Sequence, residues 1–68
     1  MKILEKKLSK HLSSLGNTYL SLGKYLFAEQ CLEESLLLKQ KLFGFEDSST
    51  ALTLDTLGTV LRNKGDLD

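Results

Sequence analysis

Sixty-eight residues make one small domain at most, carrying nine Lys and Arg, nine Asp and Glu, and one cysteine. Balanced charge argues against a dedicated nucleic-acid or membrane-surface binder, which needs a basic stripe. A lone cysteine excludes an intramolecular disulfide, and no His/Cys cluster has metal-ligand spacing.

The N-terminal Met1-Lys2-Ile3-Leu4-Glu5-Lys6-Lys7 lacks the apolar core of about 7–15 residues that a secretory signal needs. The apolar run Leu36-Leu37-Leu38 falls far short of the roughly 20 residues that span a bilayer. A reducing, cytoplasmic setting is the expectation. Proline is absent and leucine dominates the apolar set. That is helical composition, because leucine loses little rotamer freedom in a helix.

The first helix is expected over 4–22. Leu4, Leu8, Leu12, Leu15, Gly16 and Tyr19 follow the i, i+3, i+4, i+7 rule. Gly16 falls mid-helix, where it costs about 1 kcal/mol against alanine. Close approach of a neighbouring helix is the expected compensation. Gly23-Lys24 breaks the pattern, and glycine just past a helix is a common left-handed cap. A connection this short makes the next helix antiparallel.

The second helix is expected over 25–43. Around Ala28, the residues Tyr25, Cys31, Leu32, Ser35, Leu36, Leu38, Leu42 and Phe43 lie within about 80° on a helical wheel. That stripe is wide enough for two neighbours. Lys39 lies inside it and is expected to snorkel at the helix C-terminus. Leu26, Phe27 and Leu37 point the other way, a candidate self-association patch.

Gly44 ends this helix, and Asp47, Ser48 or Ser49 can cap the next. The third helix is expected over 49–64, with Ala51, Leu54, Leu57, Gly58 and Leu61 on its packing side. Asn63-Lys64-Gly65-Asp66 is expected to stop it.

Leu12, Leu15, Gly16 and Gly23 recur 42 residues later as Leu54, Leu57, Gly58 and Gly65. A fixed period of this size signals stacked helical hairpins. The fold class is therefore all-α: an antiparallel hairpin plus a third helix, one module over 1–68, an α-solenoid fragment. The third helix reads as the first of a pair whose partner would begin near Asp68.

Leu12-x-x-Leu15-Gly16-x-x-Tyr19 followed by Ala28-x-x-x-Leu32 resembles a tetratricopeptide repeat. The usual period is 34 residues. A period of 42 resembles the longer-helix variety found in kinesin light chains. Tyr25-x-x-Ala28-Glu29, Ser35-Leu36-x-Leu38-Lys39-x-Lys41-Leu42-Phe43-Gly44 and Glu46-Asp47-Ser48 are similar to its second helix and following loop. About one and a half repeats are covered.

The resemblance implies a groove lined by the first helix of each pair, which binds a peptide or partner protein and performs no catalysis. Carried over by position, the groove-facing residues are Lys10, Ser13, Asn17, Leu20 and Ser21, then Leu52, Asp55, Thr59, Arg62 and Asn63. Asn17 stands where such repeats bond a ligand backbone. Ser13-Ser14 and Asp55-Thr56 replace the paired asparagines of the kinesin-light-chain variety. Lys10 and Arg62 alone are too few cations for a carboxylate clamp.

His11 and Cys31 fall on different helices with no third orienting group, so they do not read as a nucleophile pair. Glu33-Glu34 and Glu46-Asp47 are adjacent pairs, not facing carboxylates. The five glycines form no phosphate-cradling loop. No cofactor or metal is implied. The functional reading is a protein-interaction scaffold using the first and third helices. A self-associating structural module, or a repeat fragment of a larger signalling or NTPase protein, is the alternative.

Overall fold

The computed structural model describes residues 2–66 and contains three helices, α1 (Lys2–Ser21), α2 (Tyr25–Phe43) and α3 (Ser48–Asp66). They form a slab of about 40 × 20 × 13 Å. The first helix ends one turn-residue earlier than the periodicity suggests. There the Leu22 amide bonds the Thr18 and Tyr19 carbonyls, and the Gly23 amide bonds Leu20. Gly23 (φ 76°) and Gly44 (φ 86°) both take the left-handed region, where a Cβ is penalised.

Asp47 starts α3. Its carboxylate accepts from the Ser49 amide at 2.8 Å and its carbonyl from the Ala51 amide. These satisfy donors that the first helical turn otherwise leaves orphaned. The stop expected at Asn63-Lys64-Gly65 is not used, and α3 runs on through Gly65 to Asp66. Glycine lowers helix stability without forbidding it.

α2 is the central element, packed by α1 on one side and α3 on the other, while α1 and α3 barely touch. Ala28, Leu32, Leu57 and Val60 are the buried apolar residues, with Tyr19, Leu20, Tyr25 and Leu36 against them. Gly16 makes the close approach that its sequence position suggests. A Cβ there would sit 2.7 Å from Leu32 Cγ.

The packing face of α3 departs from expectation. Thr50, Thr53, Leu57 and Val60 are buried, whereas Leu54 and Leu61 are 55% and 45% exposed. Ala51 is also exposed, and a Cβ on Gly58 would meet nothing within 4 Å. The reason is geometric. On α1 the corresponding stripe is covered by the helix that follows it, α2. On α3 no described helix occupies that place. α3 instead packs its neighbouring stripe backward onto α2, so the small-residue contact is made once, at Gly16.

Much of the interior is polar. Ser35 is fully buried; its hydroxyl donates to the Ser9 carbonyl at 2.7 Å and shares a 2.6 Å bond with the Ser13 hydroxyl. Lys39 does not snorkel. It is 9% exposed, and its Nζ donates to Thr53 Oγ1 at 2.7 Å, tying α2 to α3. Two ion pairs clamp the slab edges: Lys41–Glu5 at 3.0 Å and Lys64–Glu29 at 2.6 Å. Both are partly solvated, so each contributes roughly 1 kcal/mol or less.

Candidate functional site

The cleft between α1 and α3, floored by α2, holds a cavity of about 420 Å³. α1 supplies Lys6, Ser9, Lys10, Ser13, Ser14 and Asn17; α2 supplies Lys39 and Phe43; α3 supplies Ser49. These side chains share the cavity because α1 presents i, i+3, i+4, i+7 and i+8 positions from Lys6 onward to one side. Lys39 enters from below because its place in the apolar stripe of α2 points it between the other two helices.

The lining contains three lysines and no carboxylate. Lys6 Nζ stands 5.7 Å from the centroid of the Phe43 ring, within reach of a cation–π attraction. Burial pushes the Lys39 ammonium below the usual lysine range, and the charge of Asp47 partly offsets this. Three cations around hydroxyl and amide groups make a cavity of positive potential, suited to an anionic group with several acceptor atoms.

Of the groove residues read from the sequence, Lys10, Ser13 and Asn17 line this cavity. Leu20 packs against the core, and Ser13 is also engaged with Ser35. Ser21, Leu52, Asp55 and Arg62 are exposed, and Thr59 and Asn63 are half-buried; none of these lines the cavity. Thr59 donates its hydroxyl to the Asp55 carbonyl. The candidate self-association patch lies on the outer face of α2. All three of its residues are exposed, Leu26 at 59%, Phe27 at 51% and Leu37 at 68%, and Phe27 also rests against Tyr19, ring centroids 5.4 Å apart.

Sequence reasoning missed Lys6, Ser9, Ser14, Lys39, Phe43 and Ser49. Lys39 left a readable signal, a lysine in the middle of an apolar stripe. Lys6, Ser9 and Ser14 follow the same α1 register as Lys10, Ser13 and Asn17, while Phe43 and Ser49 join through the packing of α2 and α3.

His11 is exposed on α1 and Cys31 is half-buried on α2. Burial, and secondarily the charge of Glu34, raise the Cys31 thiol above its usual range, which leaves it a poor nucleophile. Among the described residues, no group of three or more His, Cys, Asp and Glu is placed to hold a metal. No helix of the described residues is long and apolar enough to cross a membrane.

A family model for the tetratricopeptide repeat matches residues 8–68. The chain belongs to the tetratricopeptide-repeat family. The match is consistent with the longer, kinesin-light-chain-like variety of the repeat. Comparison with curated proteins, and with solved structures, returns no match. Tetratricopeptide repeats are non-catalytic helical scaffolds that mediate protein–protein interactions. The three helices here are one hairpin, α1–α2, and the first helix of the next repeat.

Proposed function

We propose that the chain binds a segment of a partner protein along the α1/α3 groove and seats an acidic group of that segment in the lysine-lined cavity. The observation that carries this reading is the convergence of Lys6, Lys10 and Lys39 on one cleft with no carboxylate among its lining residues. A carboxylate or phosphoryl group entering there exchanges water for charge-assisted hydrogen bonds from lysine and serine donors. Asn17, at the same wall, offers both a donor and an acceptor to the segment's backbone. The cation count thus exceeds the Lys10 and Arg62 read from the sequence, because Lys6 and Lys39 join from other positions.

A fluorescently labelled, Asp/Glu-rich ten-residue peptide, compared with its Asn/Gln counterpart, tests the proposal by anisotropy. The acidic peptide is expected to bind at low salt, the neutral one not. Lys6→Glu with Lys10→Glu should weaken binding at least about tenfold, equivalent to about 1.4 kcal/mol, with the circular-dichroism helicity unchanged. Equal binding of both peptides, or full binding by the double variant, overturns it.

A further inference from the structure

Lys39 is only 9% exposed, and among the described residues no carboxylate lies within ion-pair distance of it. An ammonium carries three N–H donors. Lys39 gives one to Thr53 Oγ1 at 2.7 Å, and Thr53 in turn donates to the Ser49 carbonyl. Its other two donors have no acceptor among the described residues, and the side chain lines the cavity. A buried charge without a counter-ion is unfavourable, and an anion beside it offsets much of that penalty.

The serine hydroxyls of the cavity are not equivalent. Ser9 donates to the Lys6 carbonyl at 2.9 Å. Ser35 donates its single proton to the Ser9 carbonyl, so the 2.6 Å contact between Ser13 and Ser35 takes its proton from Ser13. Ser9 and Ser13 therefore have no donor left for a ligand. Ser14 on α1 and Ser49 on α3 keep theirs, and they stand with exposed Lys6 and Lys10 around buried Lys39. Lys6 is held there by its cation–π contact with Phe43. Asp47 does not line the cavity, but its charge acts on Lys39. Glu5 is paired with Lys41. Three lysines against one carboxylate leave a surplus of about two positive charges around the cavity.

We propose that the anion seated beside Lys39 is a phosphomonoester, carried on a phosphorylated serine or threonine of the partner segment. This deepens the acidic-segment reading and rests on it. The choice follows from charge and donor number. A carboxylate brings one negative charge and two oxygens. It neutralises half of the surplus and leaves several of the donors without an acceptor. A phosphomonoester brings about −1.5 to −2 charges and three strong acceptor oxygens. It matches the surplus, and its oxygens can accept from Lys39 within and from Lys6, Lys10, Ser14 and Ser49 around it. The cavity of about 420 Å³ has room for the group together with the side chain that bears it.

Three versions of the Asp/Glu-rich ten-residue peptide, with serine, glutamate or phosphoserine at one central position, are titrated against the whole chain by anisotropy. The phosphoserine peptide is expected to bind at least about tenfold more tightly than the glutamate peptide, the worth of one further hydrogen bond to a charged group. Equal affinity of these two overturns the inference and leaves the acidic-segment reading standing. Failure of all three to bind removes that reading, and the inference with it. Inorganic phosphate alone, read by competition, should bind at least about tenfold more weakly than the phosphoserine peptide, because it offers no backbone to Asn17. Phosphate that binds as tightly as the peptide assigns the cavity to the free anion and overturns the partner. Lys39→Met should bring the phosphoserine and glutamate peptides to similar affinity, since one surplus charge and the inner donors are gone. A phosphoserine preference that survives this change, with helicity unchanged by circular dichroism, also overturns the inference. Should Lys39→Met lose helicity, Lys6→Gln at the exposed wall removes one surplus charge without touching the interior, and the same narrowing is expected.

Discussion

Gly16 and Gly58 stand 42 residues apart in equivalent helices, and the same substitution at each should move stability in opposite directions. Alanine replacing a mid-helix glycine contributes about 1 kcal/mol through lower unfolded-state entropy and better helix propensity. That gain is common to both sites. At Gly58 nothing offsets it, since the new methyl meets open space. At Gly16 the methyl would lie 2.7 Å from Leu32 Cγ and 2.9 Å from its Cδ2. Leu32 is 1% exposed and wedged between α1 and α3, so it cannot swing aside. Overpacking of this kind costs about 1–3 kcal/mol. Gly58→Ala is therefore expected to stabilise by about 0.5–1 kcal/mol, and Gly16→Ala to destabilise by about 0–2 kcal/mol. Because the propensity gain cancels in the comparison, the gap between the variants measures the steric cost at the α1–α2 contact alone. Urea unfolding followed by circular dichroism reads both values. In thermal unfolding the gap should appear as at least about 4 °C, given 4–8 °C per kcal/mol for a domain of this size. Two variants stabilised to the same extent would show that α1 and α2 are not in close contact at Gly16.

Two further substitutions probe the polar interior. Thr50 is 2% exposed, and its Oγ1 is buried without a hydrogen-bond partner among the described residues; Thr50→Val keeps the shape and should raise stability by about 1 kcal/mol, whereas a loss in urea unfolding would mean that the hydroxyl is satisfied. Lys39 is a base whose folded-state value lies below its unfolded one, chiefly through burial. The unfolded chain then holds more protons across the alkaline window up to the ordinary lysine value near 10.4, so this group adds stability as pH rises through it. Cys31, an acid shifted upward by burial, acts in the opposite sense over its own alkaline range. Comparing the original chain with Lys39→Met isolates the lysine. The variant should be the more stable near pH 7, with its advantage shrinking toward pH 10, and parallel stability-versus-pH curves would show that Lys39 is not desolvated.

A third of the candidate cavity's lining was read from the sequence. Lys10, Ser13 and Asn17 follow from the register of a single helix, and they do line the cleft. Lys6, Ser9 and Ser14 share that register of α1, whereas Ser49 becomes a site residue only because α3 packs on the other side of α2. Lys39 stands out in the sequence as a charge in an apolar stripe, where it is expected to snorkel. That it stays buried, with Thr53 as partner instead of reaching solvent, depends on α3 lying above it.

Local chemistry determined the helices. Leucine spacing sets their faces, Gly23 and Gly44 stop α1 and α2 where a left-handed residue is needed, and the 42-residue recurrence declares α3 equivalent to α1. All of this is encoded within a few turns of backbone. Which flank of α3 is buried is not so encoded. Its sequence carries two usable stripes, Ala51-Leu54-Gly58-Leu61 and Thr50-Thr53-Leu57-Val60, and propensity does not choose between them. The choice belongs to packing. α2 is the element available to cover α3, and it meets the second stripe. Burial is a property of pairs of surfaces, so a helix whose second neighbour is not among the described residues keeps one apolar face bare.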